Sequence, residues 1–288
     1  MFDTNETLEE ARARNVRDAL MEDMGTCDWT GLLIEAGRRV QAQVQVREAA
    51  VLCGREWFDQ TLRTLDPQAE IRWSYAEGQD LQTDSVVCEL EAQARALLAA
   101  ERPCLNFLQL LSATATSTRL HVQAISGASP KPSGCTVLDT RKTLPGLRQA
   151  QKHAVRVGGG SNQRLALWHG ILIKENHIAA AGGIAPAMAQ ALALNSGVDI
   201  QIEVESLDEL QQALACGATS ILIDDFSIEQ MREAVRITNG RALLEVSGGV
   251  TLDQVRDIAA TGVDRISIGK LTKDIRAVDF SMRVLSAL

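Results

Sequence analysis

The chain from about residue 136 onward alternates short apolar runs with longer amphipathic stretches. Six apolar runs begin near residues 136, 171, 199, 220, 242 and 265, and each ends abruptly in polar residues. Stretches such as SLDELQQALACG and SIEQMREAVRITNG separate most of them, opening on a Ser that can cap a helix and closing on a Gly. This alternation predicts βα units and a parallel sheet. Polar carboxyl ends on all six strands favour an α/β barrel whose active site lies at those ends, with an open doubly wound sheet as the alternative.

The first third of the chain has a mixed pattern. EEARARNVRDALMEDMG has the composition of a helix that ends at Gly25, and LNFLQLLSATATSTRL predicts an apolar helix. SVVCELEAQ predicts a strand, and RRVQAQVQV predicts another whose small apolar residues share one face: Val40, Ala42, Val44 and Val46. The pattern changes within residues 112–134, where SGASPKPSG indicates a surface loop. We therefore predict an N-terminal α/β domain over residues 1–118 and a barrel domain over 119–288, with the N-terminal segment able to pack against the barrel.

Composition and charge narrow the class of protein. The 288 residues carry a net charge of −8, which argues against a nucleic-acid partner. The first residues show neither a basic segment nor an apolar leader, and no apolar run has the length of a membrane span. The six cysteines are scattered without a CxxC motif, as expected of free thiols in a reducing cytoplasm. We expect a cytoplasmic protein without a membrane partner.

The strand ends carry the residues with chemical potential. A barrel would gather them at one mouth: Arg141, Lys142, Lys174, Glu203, Asp224, Ser247, Gly248, Gly249, Gly269 and Lys270. Charges inside a barrel need partners, because a lone buried charge is very costly. Ion pairing of these cations with these acids is the purely structural interpretation. The two glycine loops after the last two strands favour a phosphate site instead, because glycine lets backbone N–H groups approach an anion closely.

Other motifs add less. GGGSNQR lacks the GxGxxG spacing of a dinucleotide fold, but it adds Arg164 to the cationic set. His177 in KENHI is interpreted as a hydrogen-bonded structural residue rather than a base. His153, within a helical stretch, is expected to lie on the surface.

Taken in order, LDTRKTLPGLR, GGGSNQR, LIKENHI, IEVES, LIDDF, SGGVTL and TGVDRISIGKLT closely resemble the quinolinate phosphoribosyltransferase family. EDMGTCDWT and ERPCLNFLQLLSATAT extend the resemblance over nearly the whole chain. The resemblance implies an N-terminal open α/β sandwich followed by a roughly six-stranded incomplete barrel. It also implies transfer of phosphoribosyl from phosphoribosyl pyrophosphate to quinolinate with decarboxylation, a requirement for Mg²⁺, and a homodimer or larger assembly with shared sites.

The resemblance assigns roles residue by residue. It implies that the two carboxylates of quinolinate are held by Arg141, Arg164 and Lys174, with Arg102 reaching in from a partner subunit. Lys142 is expected near the substrate or the phosphates, and Glu203 and Asp224 at the magnesium–pyrophosphate and ribose end. The residues expected at the phosphoribosyl group are Ser247, Gly248, Gly249, Ser267 and Gly269. The catalytic residues are expected to be Lys142, Lys174, Glu203 and Asp224.

Two departures and two alternative functions accompany this interpretation. Gln163 stands where the family has His, and it is kept among the substrate-binding residues; His169 stands where the family has Asp. A molybdenum-transport-linked relative of the same fold would use a different acceptor base. An aldolase-type barrel would use Lys174 as a Schiff-base nucleophile. A non-catalytic relative is expected to lose Glu203 or Asp224, and both are present.

Overall fold

The computed structural model describes residues 4–287. These residues form two compact units. The N-terminal unit comprises the residues up to Ser117, Thr143–Gly159 and the residues from Thr272 onward, and the barrel unit comprises Thr118–Lys142 and Gly160–Leu271. Both units are therefore built from separate stretches of chain. The predicted domain boundary after residue 118 stays a prediction.

Helices occupy the following ranges: α1 Leu8–Met24, α2 Arg55–Leu65, α3 Ala94–Ile125, α4 Arg148–Val157, α5 Glu175–Ala181, α6 Ile184–Ala193, α7 Leu207–Ala215, α8 Ile228–Thr238, α9 Val255–Ala260 and α10 Lys270–Lys273. Strands occupy these: β1 Arg39–Val46, β2 Ala50–Val51, β3 Glu70–Trp73, β4 Asp80–Leu81, β5 Val86–Gln93, β6 Thr136–Leu138, β7 Gly170–Ile173, β8 Asp199–Val204, β9 Ser220–Asp224, β10 Leu243–Ser247, β11 Arg265–Ser267 and β12 Phe280–Ala287. Among the helices within residues 4–287, none combines the length and apolarity that crossing a bilayer requires.

The N-terminal unit is built on an antiparallel sheet with strand order β12-β1-β5-β3. The alternation predicted for β1 is confirmed, because its four small apolar residues are all buried. They share a core with Phe58 and Leu62 of α2 and Leu97 of α3. Helix α1 ends as predicted at Gly25, whose N–H donates to the carbonyl of Met21 at 3.1 Å.

One expectation for this unit is wrong. His153 on α4 was expected at the surface, but its side chain is only 19% exposed and its Nε2 lies 3.4 Å from Glu77 Oε1. Its ring also packs on Trp57, with ring centroids 5.4 Å apart. The face of α4 that carries His153 packs toward α2. The composition of the helix alone does not show which of its faces is covered.

The barrel unit contains six parallel strands in the order β6-β11-β10-β9-β8-β7. Strands consecutive in the chain from β7 to β11 are neighbours, and β6, the first, lies beside β11, the last. A doubly wound sheet reverses its strand order in the middle, so that alternative is wrong and the barrel is confirmed. Strands β6 and β7 form no ladder with each other. The segment after Gly160 contacts both of them, because Ser161 bridges to Leu138 and Arg164 Nη1 donates to the carbonyl of Gly170 at 3.0 Å.

Each barrel strand has an apolar outer face and a mostly polar inner face. The outer residues join the core under helices α6 to α9; they include Val137, Ile173, Ile202, Ile221, Ile223, Val246 and Ile266. Side chains alternate along a strand, so Gln201 and Glu203 face the opposite way from Ile202. Ser206 and Ser227 cap α7 and α8 as predicted, each accepting a hydrogen bond from a backbone N–H.

Candidate active site

Lys174 and Glu203 form an ion pair at the carboxyl ends of neighbouring strands. Lys174 directly follows β7, and its Nζ donates to the two Glu203 carboxylate oxygens at 2.9 and 2.7 Å. Burial raises the pKa of Glu203, Lys174 lowers it in part, and the nearby charge of Asp224 raises it further. The lysine side chain is 42% exposed while the glutamate side chain is 8% exposed. The two residues thus form an ion pair in which the lysine side chain is the solvent-exposed partner.

Asp224 ends β9 and belongs to the same electrostatic group. Burial raises its pKa and so does Asp225, whereas Lys174, Lys142 and a hydrogen bond from Ser247 lower it. The acids of β8 and β9 therefore meet cations that follow β6 and β7. Sequence reasoning predicted this convergence from strand ends alone, and the structure confirms it.

Arg141 and Arg164 lie near each other, although like charges repel. Burial lowers the pKa of Arg164, and the charge of Arg141 lowers it further, while Glu203 opposes both effects. Asp139 explains how two distant segments bring these arginines together. This fully buried carboxylate accepts from the backbone N–H of Gln163 at 3.0 Å and from Asn162 Nδ2 at 2.5 Å. The segment carrying Arg164 is thereby fastened to the strand end that carries Arg141.

Backbone conformation and close packing explain why glycine occupies the loops after β10 and β11. Gly248 has φ +101°, and an added Cβ would lie 2.1 Å from Asp225 Oδ1. Gly249 has φ +55° and faces open space. An added Cβ at Gly269 would lie 3.2 Å from Lys142 Cδ, which places that lysine beside the second loop. At both loops no side chain stands between the backbone and an approaching anion, and the second loop lies beside a cation, features that are typical of anion sites.

A buried chain of hydrogen-bonded polar side chains crosses the barrel interior. Sequence reasoning missed one of its members, Glu245. Gln163 Nε2 donates to Gln201 Oε1 at 2.7 Å, and Gln201 Nε2 donates to Glu245 Oε2 at 2.9 Å. Ser267 Oγ donates to the other oxygen of Glu245, which is only 1% exposed. Two residues before Ser247 on the same strand, Glu245 shares its inward face, and this spacing was the available signal. The hydroxyl of Ser267, expected at the phosphate, is directed to Glu245; a substrate contact from it stays a prediction.

A cavity of about 550 Å³ lies at the opposite, amino-terminal ends of the strands. First residues of strands line it, such as Thr136, Asp199 and Arg265, together with Gln163 and Arg164. Apart from Arg164, which borders this cavity, the charged groups described above lie at the carboxyl ends. The chemistry of the barrel is assigned to the carboxyl ends for that reason, and this cavity is not taken as the active site.

The remaining sequence-predicted residues have definite positions. Arg102 is exposed on α3, in the N-terminal unit, and its side chain makes no hydrogen bond or ion pair within residues 4–287. His177 is structural as expected, since its Nδ1 accepts from the Lys174 backbone N–H at 3.0 Å. His169 packs edge-on against Trp168 and accepts from the backbone N–H of Leu165 at 3.5 Å.

Comparison with known proteins identifies the family. Residues 114–283 match the family model described as quinolinate phosphoribosyl transferase, C-terminal domain, and residues 26–112 match its N-terminal domain. The chain belongs to the quinolinate phosphoribosyltransferase family. The resemblance stated from the sequence motifs is confirmed.

Relatives and solved structures of this family match along nearly the full chain. The nicotinate-nucleotide pyrophosphorylase [carboxylating] of Mycobacterium leprae (strain TN) is 38% identical over 283 residues, covering 95% of this chain and 97% of the relative. A probable enzyme of the same name from Bacillus subtilis (strain 168) is 37% identical over 92% of this chain and 90% of its own. The structure of the nicotinate-nucleotide pyrophosphorylase from Francisella tularensis superimposes with a TM-score of 0.91 at 41% identity, over 98% of this chain and all of that one.

Within the quinolinate phosphoribosyltransferase family the Schiff-base alternative loses its basis. A lysine nucleophile needs a desolvated setting that disfavours its ammonium form. Lys174 is instead paired with Glu203, and its side chain is 42% exposed. Family membership and the ion-pair geometry therefore both argue against the Schiff-base alternative.

Proposed function

We propose that the chain transfers the phosphoribosyl group of phosphoribosyl pyrophosphate to quinolinate, with decarboxylation, giving nicotinate mononucleotide, pyrophosphate and CO₂ for NAD biosynthesis. Family membership and the names of the relatives support this activity. The observation that supports it within the structure is that Arg164 lies near both Arg141 and Glu203, and that the Glu203 carboxylate is paired with Lys174. Three cations converge in a chain of net charge −8, so this mouth is a local site for an anion.

The cation group suits the two adjacent carboxylates of quinolinate. The guanidinium of an arginine is a planar fork that donates two parallel hydrogen bonds to a carboxylate. Each hydrogen bond to a charged group contributes about 1.5–3 kcal/mol. Two carboxylates need at least two such partners, which Arg141, Arg164 and Lys174 supply. Binding a dianion also removes the repulsion between the two arginines.

The glycine loops, Lys142 and the two acids of the mouth suit the sugar and its phosphates. We assign the 5′-phosphate to the glycine loops around Gly248, Gly249 and Gly269, beside Lys142. Glu203 and Asp224 would lie near the ribose, where bond breaking at C1′ develops positive charge. Fixed carboxylates stabilise that charge without reorganising during the reaction.

Decarboxylation then needs no organic cofactor. Once the ring nitrogen is bonded to ribose it carries a positive charge. When the adjacent carboxylate leaves as CO₂, the electron pair of the broken C–C bond is stabilised by the cationic ring, and the ring carbon takes a proton. The chain contributes by keeping the carboxylate oriented through its arginines.

Magnesium is part of the proposal, and the residues present fit it. Glu203 and Asp224 offer hard oxygen donors at one mouth, and their mutual repulsion contributes to the raised pKa of Glu203. A divalent cation with pyrophosphate oxygens would relieve that repulsion. When bound, magnesium supplies neutralisation of the pyrophosphate charge.

We also propose a homodimer in which Arg102 serves the partner's site. Its exposed side chain, without a partner in the described chain, supports this role. Arg102→Ala and Lys174→Ala dimers should each be nearly inactive. Mixing them at equal amounts should restore about a quarter of wild-type activity, because half the dimers would carry one intact site of two. No recovery in mass-verified mixed dimers would place Arg102 in its own chain's site. A cytoplasmic location is proposed because all six cysteines carry free thiols.

The activity is tested by release of labelled CO₂ from carboxyl-labelled quinolinate. We expect release only when phosphoribosyl pyrophosphate and Mg²⁺ are both added, with nicotinate mononucleotide formed in equal amount. Release without phosphoribosyl pyrophosphate, or no release when both components are present, would contradict the proposal. Glu203→Gln, which removes a carboxylate but keeps the shape, is the matched negative control.

A further inference from the structure

Three side chains with metal-binding atoms converge in the N-terminal unit, apart from every residue assigned to the reaction. Cys53 precedes α2, Glu77 lies in the turn before β4, and His153 is on α4. Their ligand atoms, a thiol sulfur, a carboxylate oxygen and a ring nitrogen, all lie within 4.8 Å of one another. The nitrogen of His153 and the nearer oxygen of Glu77 are 3.4 Å apart.

Each of the three residues is held in place by its own contacts. Glu77 Oε1 accepts from the backbone N–H of Gly54 at 2.9 Å, and its Oε2 accepts from that of Arg55 at 3.3 Å. The backbone of Cys53 is fastened at both ends to one hydroxyl: its N–H donates to Ser112 Oγ at 3.0 Å, and its carbonyl accepts from the same oxygen at 3.2 Å. Such supporting contacts fix ligand orientation in metal sites.

The ring of His153 is fixed by its packing on Trp57. The three donors are therefore arranged on the segment just before α2, on a turn and on α4 before any ligand arrives. Cys53 is fully buried, whereas the side chains of Glu77 and His153 are 28% and 19% exposed. An ion would approach from the side of the carboxylate and the imidazole and meet the thiol last.

Capping of α2 accounts for Glu77 alone. A carboxylate at a helix N-terminus accepts backbone N–H groups and is favoured by the helix dipole. This role does not require a thiol and an imidazole at the same carboxylate. Burial and the charge of Glu77 raise the pKa of the Cys53 thiol well above its usual value, so without a metal it remains protonated.

We propose that Cys53, Glu77 and His153 form a zinc site. Thiolate, imidazole and carboxylate are the three donor types that Zn²⁺ uses in proteins, and three protein ligands leave a fourth position for water. Mg²⁺ and Ca²⁺ prefer oxygen donors alone, so a site containing sulfur and nitrogen disfavours them. Formation of the Zn–S bond replaces the S–H bond and releases that proton to solvent, with no change of oxidation state.

The site would join three segments that are far apart in sequence. Binding to the folded chain alone would stabilise the N-terminal unit, because the unfolded chain does not hold these ligands together. It needs no residue of the barrel mouth, so the inference is independent of the proposed phosphoribosyl transfer.

Cobalt provides the direct test, because Co²⁺ replaces Zn²⁺ and gives a visible signal when a thiolate binds it. The full chain, treated with a chelator and desalted, is titrated with Co²⁺ and then with Zn²⁺. We expect a thiolate-to-cobalt charge-transfer band that saturates at about one ion per chain and disappears as Zn²⁺ displaces the cobalt. Cys53→Ser should abolish the band, and His153→Gln should weaken metal affinity at least ~100-fold, more than losing a supporting contact costs. Cys88→Ser, which changes another buried thiol of this unit, is the matched control and should keep the band.

Two results would overturn the proposal. One is the absence of any band while circular dichroism shows the wild-type chain folded. The other is an unchanged band in Cys53→Ser, or a cobalt affinity in His153→Gln equal to that of wild type. If Cys53→Ser does not fold, His153→Gln decides, because a glutamine at this half-buried position can still bond to Glu77.

Discussion

The two faces of the barrel strands differ in what they contribute. The outer faces are apolar and pack under the helices, as at Ile202 and Ile223, both fully buried. The inner faces carry Glu203, Asp224 and Glu245, whose burial is costly in itself. One strand thus alternates, residue by residue, between positions that stabilise the fold and positions that are kept despite their cost. We therefore expect that substitutions on the outer face change stability and that substitutions of the inner acids change activity.

The largest effect on stability is expected at the outer face. Ile202→Ala removes buried methyl groups from a packed core and should lower the free energy of unfolding by about 2–5 kcal/mol. The activity of the molecules that remain folded should be close to wild type, since the side chain points away from the mouth. Chemical denaturation together with turnover per folded molecule measures both. A large loss of turnover in fully folded protein would contradict the separation.

The largest effect on activity is expected at Asp224. Asp224→Asn keeps the shape but removes a charge placed to stabilise the transition state, so turnover should fall by about 100- to 1000-fold. Quinolinate binding should persist, because the arginines are unchanged. Stopped-flow or calorimetric binding beside steady-state turnover separates the two effects.

The stability of Asp224→Asn should move in the opposite direction. The pKa of Asp224 is raised in the folded chain, so its contribution to stability is complete below the unfolded pKa and is lost as pH rises through the folded pKa. At neutral pH the charged form is therefore the unfavourable one. Asp224→Asn should melt at the same temperature as wild type or higher at pH 7, and the difference should shrink in acid. A clearly lower melting temperature at pH 7 would mean that the carboxylate holds the fold together.

Substrate choice gives the next effect in size. Nicotinate has one carboxylate where quinolinate has two, and loss of one charged partner costs roughly 3 kcal/mol. Its kcat/KM should therefore be at least ~100-fold lower. Competition between the two acids in one reaction provides the measurement. Comparable efficiency would contradict a site built for a dicarboxylate.

The smallest effect is expected from the buried chain behind Gln163. Glu245 Oε2 accepts from Gln201 Nε2, so the Gln201 amide is held with its oxygen toward Gln163. Glu245→Gln removes that constraint and should raise the KM for quinolinate by about 10-fold, the lower end of a charged hydrogen bond, with kcat little changed. A KM that stays at the wild-type value in fully folded Glu245→Gln would argue against a positioning role.

The sequence allowed the strands and their ends to be predicted because alternation and abrupt polar ends are local signals. Lys174, Glu203 and Asp224 could be placed at one mouth for that reason. The contact between Gln163 and Gln201 could not, because Gln163 lies in an irregular segment beside the gap between β6 and β7, where no periodicity tells which way a side chain points. His153 was misjudged for a related reason: its partner Glu77 lies in another segment of the chain.

The start of helix α9 is a further feature that could not be predicted from the sequence. The stretch TLDQVRDIAATG opens on a Thr that can cap a helix and has a helical composition, yet α9 begins only at Val255. Thr251 Oγ1 donates to the side chain of Gln254 at 2.9 Å and holds a turn instead. Local hydrogen bonds of this kind compete with helix formation, and composition alone does not decide between them.

The most direct test of whether the outer face carries stability and the inner acids carry activity is to measure unfolding free energy and turnover side by side in wild type, Ile202→Ala and Asp224→Asn at pH 7. We expect a crossed result: Ile202→Ala loses stability but keeps turnover per folded molecule, and Asp224→Asn keeps stability but loses turnover. Turnover that follows the folded fraction in both variants would contradict it, because the inner acids would then be structural ion-pair partners rather than parts of an active site.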